Sequence, residues 1–563
     1  MIFKEIYSII PPEFLKRFRL NLLLSFLNQL LDFSSIILLA PVIVGLFNPD
    51  LLVQAMKLHF NLPAISGNFQ LGLIFTVLVF FLLKNLISVR IIRFQSDFYY
   101  SLSNSLSTGL LRNFLNKDLL SVRAKKKSTT IKDLVFIPNN FVIYVLSAGI
   151  QLLADVFLLF LILLFCFIIN PAASFCLLVI AVLMLICLYY FDRNKAISAN
   201  EKVSQKYDAN FNHLLNAVNG YTEIKINQLE DHFMEKFSAS NLLLNKMYSV
   251  LNANRTSKPK YTETFLIVII AVLFVFSRYL SHNNSNLVVL ISFLFAATIK
   301  IIPSINSILI GLINIKANNH TIEILKPQKK KNTVPLAQNI SFREAISLQD
   351  ISFSYESKLI LNHVTLEIPK GHIVGIFGGS GNGKSTLINI IATLITADSG
   401  ILSCDQTAIF QEHRASFMNL LAYVPQSPFI FEETIAQNLS LGNQASQQTI
   451  SHYLTLFELE KTIENLPQKE NTFIGNNENL LSGGQLQRLA IIRALLRNPE
   501  ILILDEATNQ LDDTLRDKIA GILKEISKEK YLTIITVSHH KKELENFCDA
   551  VYELKNATLH RIE

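Results

Sequence analysis

Residues 378 to 386 read Gly378-Gly379-Ser380-Gly381-Asn382-Gly383-Lys384-Ser385-Thr386. The pattern G-x-x-x-x-G-K-[ST] is a phosphate cradle. Its glycines let backbone N–H groups turn inward around phosphate oxygens, Lys384 reaches the β- and γ-phosphates, and the Ser385 hydroxyl ligates Mg²⁺. The short β-branched run Ile373 to Phe377 leads into this turn and Leu387 to Leu394 continues it helically, which is the strand, loop and helix context the motif requires. Further on, Ile501-Leu502-Ile503-Leu504-Asp505 has the pattern of a buried strand ending in a carboxylate. Asp505 can hold Mg²⁺ through water, and Glu506 is placed to orient or deprotonate an attacking water. An acidic residue at a strand end is common by itself, and only the preceding cradle gives this pair a catalytic meaning. A third string, Leu481-Ser482-Gly483-Gly484-Gln485, opens a helix, so its backbone N–H groups and the helix dipole can face an anion.

These strings occupy one half of the chain. Of 563 residues, 50% are hydrophobic, too many for an ordinary soluble enzyme. The apolar residues concentrate before about residue 316, and beyond Lys329-Lys330-Lys331 the pattern alternates as in a soluble α/β domain. Six stretches reach the roughly 20 residues a membrane-crossing helix needs: Leu20 to Phe47, Leu71 to Val89, Phe141 to Ile169, Ala172 to Tyr190, Tyr261 to Leu280 and Leu287 to Ile313. The net charge of +7 sits mostly beside these stretches, where anionic lipid and membrane orientation explain it and nucleic acid does not. Basic residues crowd 90–140 and the segment after Phe191, whereas Asn170-Pro171 and Ser281 to Asn286 are nearly uncharged. The basic loops and both termini are therefore expected on the cytoplasmic side, and the first apolar stretch is too long for a cleaved signal peptide. The two long basic connections lack turn residues. They are read as membrane helices continuing into the cytoplasm and turning back through short crosswise helices near Asn116 to Arg123 and Asn212 to Gly220, with a separate helical bundle as the alternative. Five cysteines show neither disulfide nor metal spacing and are expected to be free thiols.

In this order the motifs resemble the ATP-binding cassette, and the whole chain resembles an ABC exporter half-transporter, similar in its membrane half to lipid-linked oligosaccharide flippases. The resemblance implies residues 1–325 as a six-helix membrane domain, 326–345 as a linker, and 346–563 as an α/β P-loop cassette binding ATP and Mg²⁺. It also implies that Tyr355 stacks on adenine and that Gln426, in Tyr423-Val424-Pro425-Gln426, touches Mg²⁺ and water. By the same resemblance His539 is expected to contact the γ-phosphate, and Lys384, Gln426, Glu506 and His539 to form the catalytic set. Ser482, Gly483, Gly484, Gln485 and Asp512 are expected to complete the nucleotide site, the signature string serving the partner's cradle in a homodimer. Ser385, Gln426 and Asp505 are the expected metal residues. Three departures from the family pattern stand out: Asn509-Gln510 replace small residues before Leu511-Asp512, His540 follows His539, and Asn476 stands where a glutamate is usual. Hydrolysis is expected to survive them, and they bear on its coupling to the membrane helices.

Charged residues inside spans face a cavity or a partner. Lys84 and Lys300 each lie roughly 20 Å from the outer side, at 1.5 Å per residue, and Lys260 begins the fifth span. The three are substrate-cavity candidates for an anionic, lipid-linked amphiphile, and Lys300 precedes Pro303-Ser304 as a basic residue does in the flippases it resembles. Snorkelling, or pairing of the lysines with Asp32 or Asp155, is the other reading. The expected function is ATP-driven export or flipping across the cytoplasmic membrane. A peptide or hydrophobic small molecule is the alternative cargo, and an ATP-gated channel or regulatory protein the alternative class.

Overall fold

The computed structural model describes residues 2–47, 68–171, 209–280, 285–326, 339–441, 445–475 and 480–562, with a few single residues between 174 and 207. It divides into two compact units: Met1–Lys117 with Val122–Lys329, and Asp118–Ser121 with Lys330–Glu563. Most of the expected linker 326–345 and of the fourth apolar stretch, Ala172 to Tyr190, lies outside the described residues, as do Asn476, Cys176 and Cys187.

The first unit is helical. Its main elements are α1 (Leu15–Phe47), α2 (Asn68–Leu115), α3 (Leu119–Ala124, whose first residues belong to the second unit), α4 (Ala148–Ile169), α5 (Tyr221–Ile226), α6 (Glu230–Leu280) and α7 (Ser285–Ala317). Among the described residues four helical segments are long and apolar enough to cross a membrane: Pro12–Ile43, Gly72–Leu115, Lys127–Ile169 and Leu290–Ala317. The expected fifth stretch lies within α6. Helices α2 and α6 run for 48 and 51 residues, or roughly 70 Å at 1.5 Å per residue, against a hydrocarbon layer of about 30 Å. Both therefore extend well past any membrane they cross. Short helices occur at α3 and α5. The second lies just beyond the expected Asn212 to Gly220, because residues 209–219 contain no breaker and stay helical until Gly220 caps α5.

Helices α1, α4 and α7 share a core built from Ile36, Ala40, Leu158, Ile162, Phe293 and Ala297. Phe75, Leu78, Leu82 and Leu86 lie at helical spacing on α2 and are 58–69% exposed. Such an outward apolar stripe suits lipid and is costly in water.

The second unit holds two sheets. A six-stranded sheet has the order β10-β9-β3-β8-β7-β6, with β3 (Ile373–Phe377), β6 (Leu421–Val424), β7 (Ile501–Asp505), β8 (Thr533–Ser538), β9 (Ala550–Lys555) and β10 (Thr558–Ile562). Strands β6, β7, β8, β3 and β9 are parallel and only β10 runs against its neighbour. The central strands β7 and β8 are buried along their whole length, which is why they read as unbroken apolar runs and not as alternating ones. An antiparallel sheet of β1 (Ala345–Tyr355), β2 (Lys358–Pro369), β4 (Ser399–Cys404) and β5 (Thr407–Ala408) completes the unit. Within this unit the Leu119 N–H donates to the Leu394 carbonyl oxygen at 3.3 Å.

Candidate active site

In a parallel sheet the carboxyl ends of the strands form a crevice suited to ligands. The cradle leaves the end of β3 and runs into helix α8 (Lys384–Ile391), with Gly383 as its N-cap. Gly383 has φ +97°, and a Cβ there would lie 2.7 Å from Ile360 Cγ2, so the position requires glycine on both counts. Lys384 is buried, and its ammonium donates to the carbonyl oxygens of Gly378 at 2.7 Å and Gly379 at 3.0 Å. Asn382 Nδ2 donates to the Leu554 carbonyl oxygen at 3.1 Å, tying the loop to β9.

Asp505 ends β7 and is buried. Its Oδ2 accepts from the Tyr423 hydroxyl at 3.0 Å. Burial pushes its carboxyl above the usual carboxylate range, opposed by hydrogen bonds from Tyr423 and Ser385. Glu506 follows with φ +51°, a left-handed conformation that strains a residue with a side chain. The turn is pinned by the Glu506 N–H donating to the Val537 carbonyl oxygen at 3.1 Å. That geometry aims the carboxylate at the other strand ends. Its Oε2 accepts from Gln426 Nε2 at 2.8 Å and from Asn509 Nδ2 at 2.8 Å. His539 Nδ1 lies 3.9 Å from Oε2, and Lys384 Nζ lies 3.8 Å from Oε1. Three candidate site residues, Lys384, Gln426 and His539, thus converge with Asn509 on one carboxylate.

Ser482 caps helix α9 (Gly483–Leu495) through a reciprocal box: its hydroxyl accepts from the Gln485 N–H, and Gln485 Oε1 accepts from the Ser482 N–H at 2.7 Å. The Gln485 side chain is thereby committed to shaping the helix start. Asp512 plays the same part for the helix Asp513–Lys530, accepting from the Leu515 N–H at 2.9 Å and the Thr514 hydroxyl at 2.6 Å. The Thr514 hydroxyl, followed by the Leu515 N–H, holds the Asp512 carboxyl below its ordinary range. Tyr355 sits at the end of β1, edge-on to Phe353 with ring centroids 4.9 Å apart.

Sequence reasoning missed two residues here. Gln487, fully buried on α9, accepts from the Gln510 N–H at 3.1 Å and donates to the Gln426 carbonyl oxygen at 3.4 Å. It links the Gln426 loop to the loop after Glu506. A glutamine among apolar neighbours on a buried helix face was its only signal. Asn509 was visible as a departure from the family pattern, but its bond to Glu506 was not. Its neighbour Gln510 reaches the space a Cβ on Gly483 would fill, with Oε1 at 2.1 Å from that position.

In the first unit Lys84 and Lys300 meet at one carboxylate. Lys84 Nζ lies 2.7 Å from Asp32 Oδ1 and Lys300 Nζ lies 2.8 Å from Asp32 Oδ2. Lys84 is buried, whereas the Lys300 side chain is 32% exposed. Lys260 lies apart from them, exposed and 3.4 Å from Glu263 Oε2.

Residues 361–509 match the family model described as ABC transporter. The chain carries an ABC transporter domain. Its fold is similar to that of a solved ABC exporter: the structure of a bacterial Atm1-family ABC exporter with ATP bound superposes with a TM-score of 0.81 over 98% of this chain and 95% of that one, at 18% identity. A putative export ATP-binding/permease protein of Rickettsia bellii is 35% identical over 205 residues, 36% of this chain and 35% of the relative. An ATP-dependent lipid A-core flippase of Haemophilus influenzae is 36% identical over 227 residues, 39% and 38% of the two chains. The alignment thus spans under two-fifths of either relative's length. Within the ABC domain, the family match takes in the cradle, Asp505, Glu506 and the signature string.

Proposed function

We propose that this chain is an ATP-hydrolysing exporter or flippase that works as a homodimer in the cytoplasmic membrane and moves an anionic, lipid-linked amphiphile outward. The observation that carries the reading is the convergence of Lys384, Gln426, His539 and Asn509 on Glu506 beside a glycine cradle, in a chain whose other unit is built from long apolar helices. The cradle N–H groups and Lys384 hold the phosphates. Lys384 exchanges the carbonyl oxygens of Gly378 and Gly379 for phosphate oxygen. Glu506 takes a proton from water as the water oxygen bonds to the γ-phosphorus and the bond to the bridging oxygen of ADP breaks. Gln426 and His539 orient that water and the departing phosphate. The N–H groups of Ser482, Gly483 and Gly484 face the γ-phosphate held by a second copy, so each dimer completes two sites. Tyr355 stacks on the adenine.

Ser385, Gln426 and Asp505 offer only hard oxygen ligands, and the Ser385 hydroxyl bonds to Asp505, so the set fits Mg²⁺. When bound there, the ion neutralises phosphate charge. An anionic headgroup entering the membrane unit competes with Asp32 for the ammonium groups of Lys84 and Lys300. The lipid A-core flippases among the relatives support a lipid cargo. In purified protein, Glu506→Gln is expected to lower ATP turnover by about 10²–10⁴-fold with nucleotide still bound. Turnover at the wild-type rate would remove Glu506 from the mechanism. For the cargo, stimulation of turnover by a pyrophosphate-linked lipid is expected to vanish in Lys84→Gln/Lys300→Gln. Stimulation that survives in this variant would point to a peptide or neutral compound.

A further inference from the structure

A second buried carboxylate lies in the first unit, one that the proposed transport cycle does not use. Asp155 on α4 is 2% exposed, and no ammonium or guanidinium pairs with it among the described residues. Its Oδ1 accepts from Gln29 Nε2 of α1 at 3.0 Å, from Gln151 Nε2 at 3.0 Å and from the Ser304 hydroxyl of α7 at 3.4 Å. The Ser307 hydroxyl also stands beside the carboxyl group. Asp155 Oδ2 and Gln29 Oε1, by contrast, are buried without a protein partner. Both are acceptors, and they belong to residues already joined by one hydrogen bond.

The charged groups on the surrounding helices do not make up this deficit. Asp32 on α1, Lys300 on α7 and Lys84 on α2 are paired with one another. Within that trio Lys300 has the partly exposed side chain. An ionised carboxylate enclosed by amides and hydroxyls would lack a counter-ion in a region where burying bare charge is costly. A missing donor accounts for both orphan atoms, whereas a missing acceptor accounts for neither.

We propose that Asp155 is a proton-binding site in the membrane unit. The proton resides on Oδ2 and is directed at Gln29 Oε1, closing a two-point acid–amide pair with the existing bond from Gln29 Nε2 to Oδ1. The ligand is a single proton taken from water, and no covalent bond other than O–H forms. A rearrangement of α1, α4 and α7 that admits water to this carboxyl group releases the proton, so the site links helix packing to proton uptake.

Infrared spectroscopy of the full-length protein in nanodiscs near neutral pH tests this directly. The expected result is a protonated carboxylic-acid band that disappears in Asp155→Asn. Asparagine keeps an acceptor for Gln29 Nε2 and supplies a donor for Gln29 Oε1, so this variant is also expected to melt no lower than wild type. Raising the pH is expected to destabilise wild type, whose folded state holds the extra proton, more than Asp155→Asn. In Gln29→Met the band is expected to persist and shift as its hydrogen bond is lost. Identical acid bands in wild type and Asp155→Asn would overturn the proposal, as would a lower melting temperature for Asp155→Asn across the pH range, the mark of an ionised and needed carboxylate. An unshifted band in Gln29→Met would overturn the acid–amide pairing.

Discussion

Two acids in this chain, one half-buried and one buried, are held by opposite means. Glu506 in the ABC domain is gripped by the neutral amides of Gln426 and Asn509, with Lys384 at 3.8 Å. Asp32 in the helical unit is clamped between two ammonium groups at 2.7 and 2.8 Å. Amide donors steady a carboxylate while leaving it ready to accept a proton. Direct cation contacts join three helices through it. The first arrangement suits the reactive role proposed for Glu506, and the second suits a group that holds helices together.

The contrast is sharpest under mutation. Asp32→Asn leaves Lys84 buried without its counter-ion and is expected to destabilise the helical unit by about 3–5 kcal/mol, the range for breaking a buried pair by removing one partner. Thermal unfolding in detergent or nanodiscs measures this, and a variant as stable as wild type would show that Asp32 clamps nothing. Removing an amide from Glu506 should spare stability and reduce rate. Asn509→Ser deletes one charge-assisted hydrogen bond and is expected to lower turnover by about tenfold, since 1.4 kcal/mol is one decade and such bonds contribute roughly 1.5–3 kcal/mol. The Michaelis constant for ATP should change little, and an unaltered turnover number would leave Gln426 as the sole holder. Ser482→Ala removes the cap of α9 and should lower stability of the ABC domain by about 1 kcal/mol, which denaturant titration resolves.

The smallest effect is one of pH. The Asp505 carboxyl is raised by burial, so the folded state holds its proton more tightly than the unfolded chain does. Stability contributed by the protonated form is therefore full below the unfolded value of 3.8 and falls as pH rises through the raised folded value. Asp505→Asn should flatten that slope. Asp512 has the opposite sign: its carboxyl is lowered, so the stability it adds is present above the unfolded value and is lost as pH falls through the folded one.

How much of this was legible from sequence follows the same division. The cradle, Asp505, Glu506 and the signature string sit at strand ends and helix starts, where local backbone geometry dictates residue type. Gln487 and the Asn509 side chain escaped notice because their roles depend on loops meeting in space, 61 and 23 residues apart in the case of Gln487 and its two partners. In the helical unit, hydropathy located the four apolar stretches that lie in candidate spans among the described residues, and pairing with Asp32 stood as one of two readings for the lysines. Which reading holds was not deducible there: Lys84 and Lys300 are 52 and 268 residues from Asp32, and helix rotation decides whether a side chain faces a cavity or a neighbour. The second short helix lies beyond its expected place for a simpler reason, since the helix before it continues up to Gly220.

The reciprocal cap at Ser482 and Gln485 has a thermodynamic corollary. Because each residue already satisfies the other's backbone N–H, the first turn of α9 is ordered before any anion arrives, and docking phosphate against it forfeits little conformational entropy. In the proposed dimer, association would then draw on a rigid surface, and the speed of closure would be governed by how the ABC domains approach and not by folding of this segment.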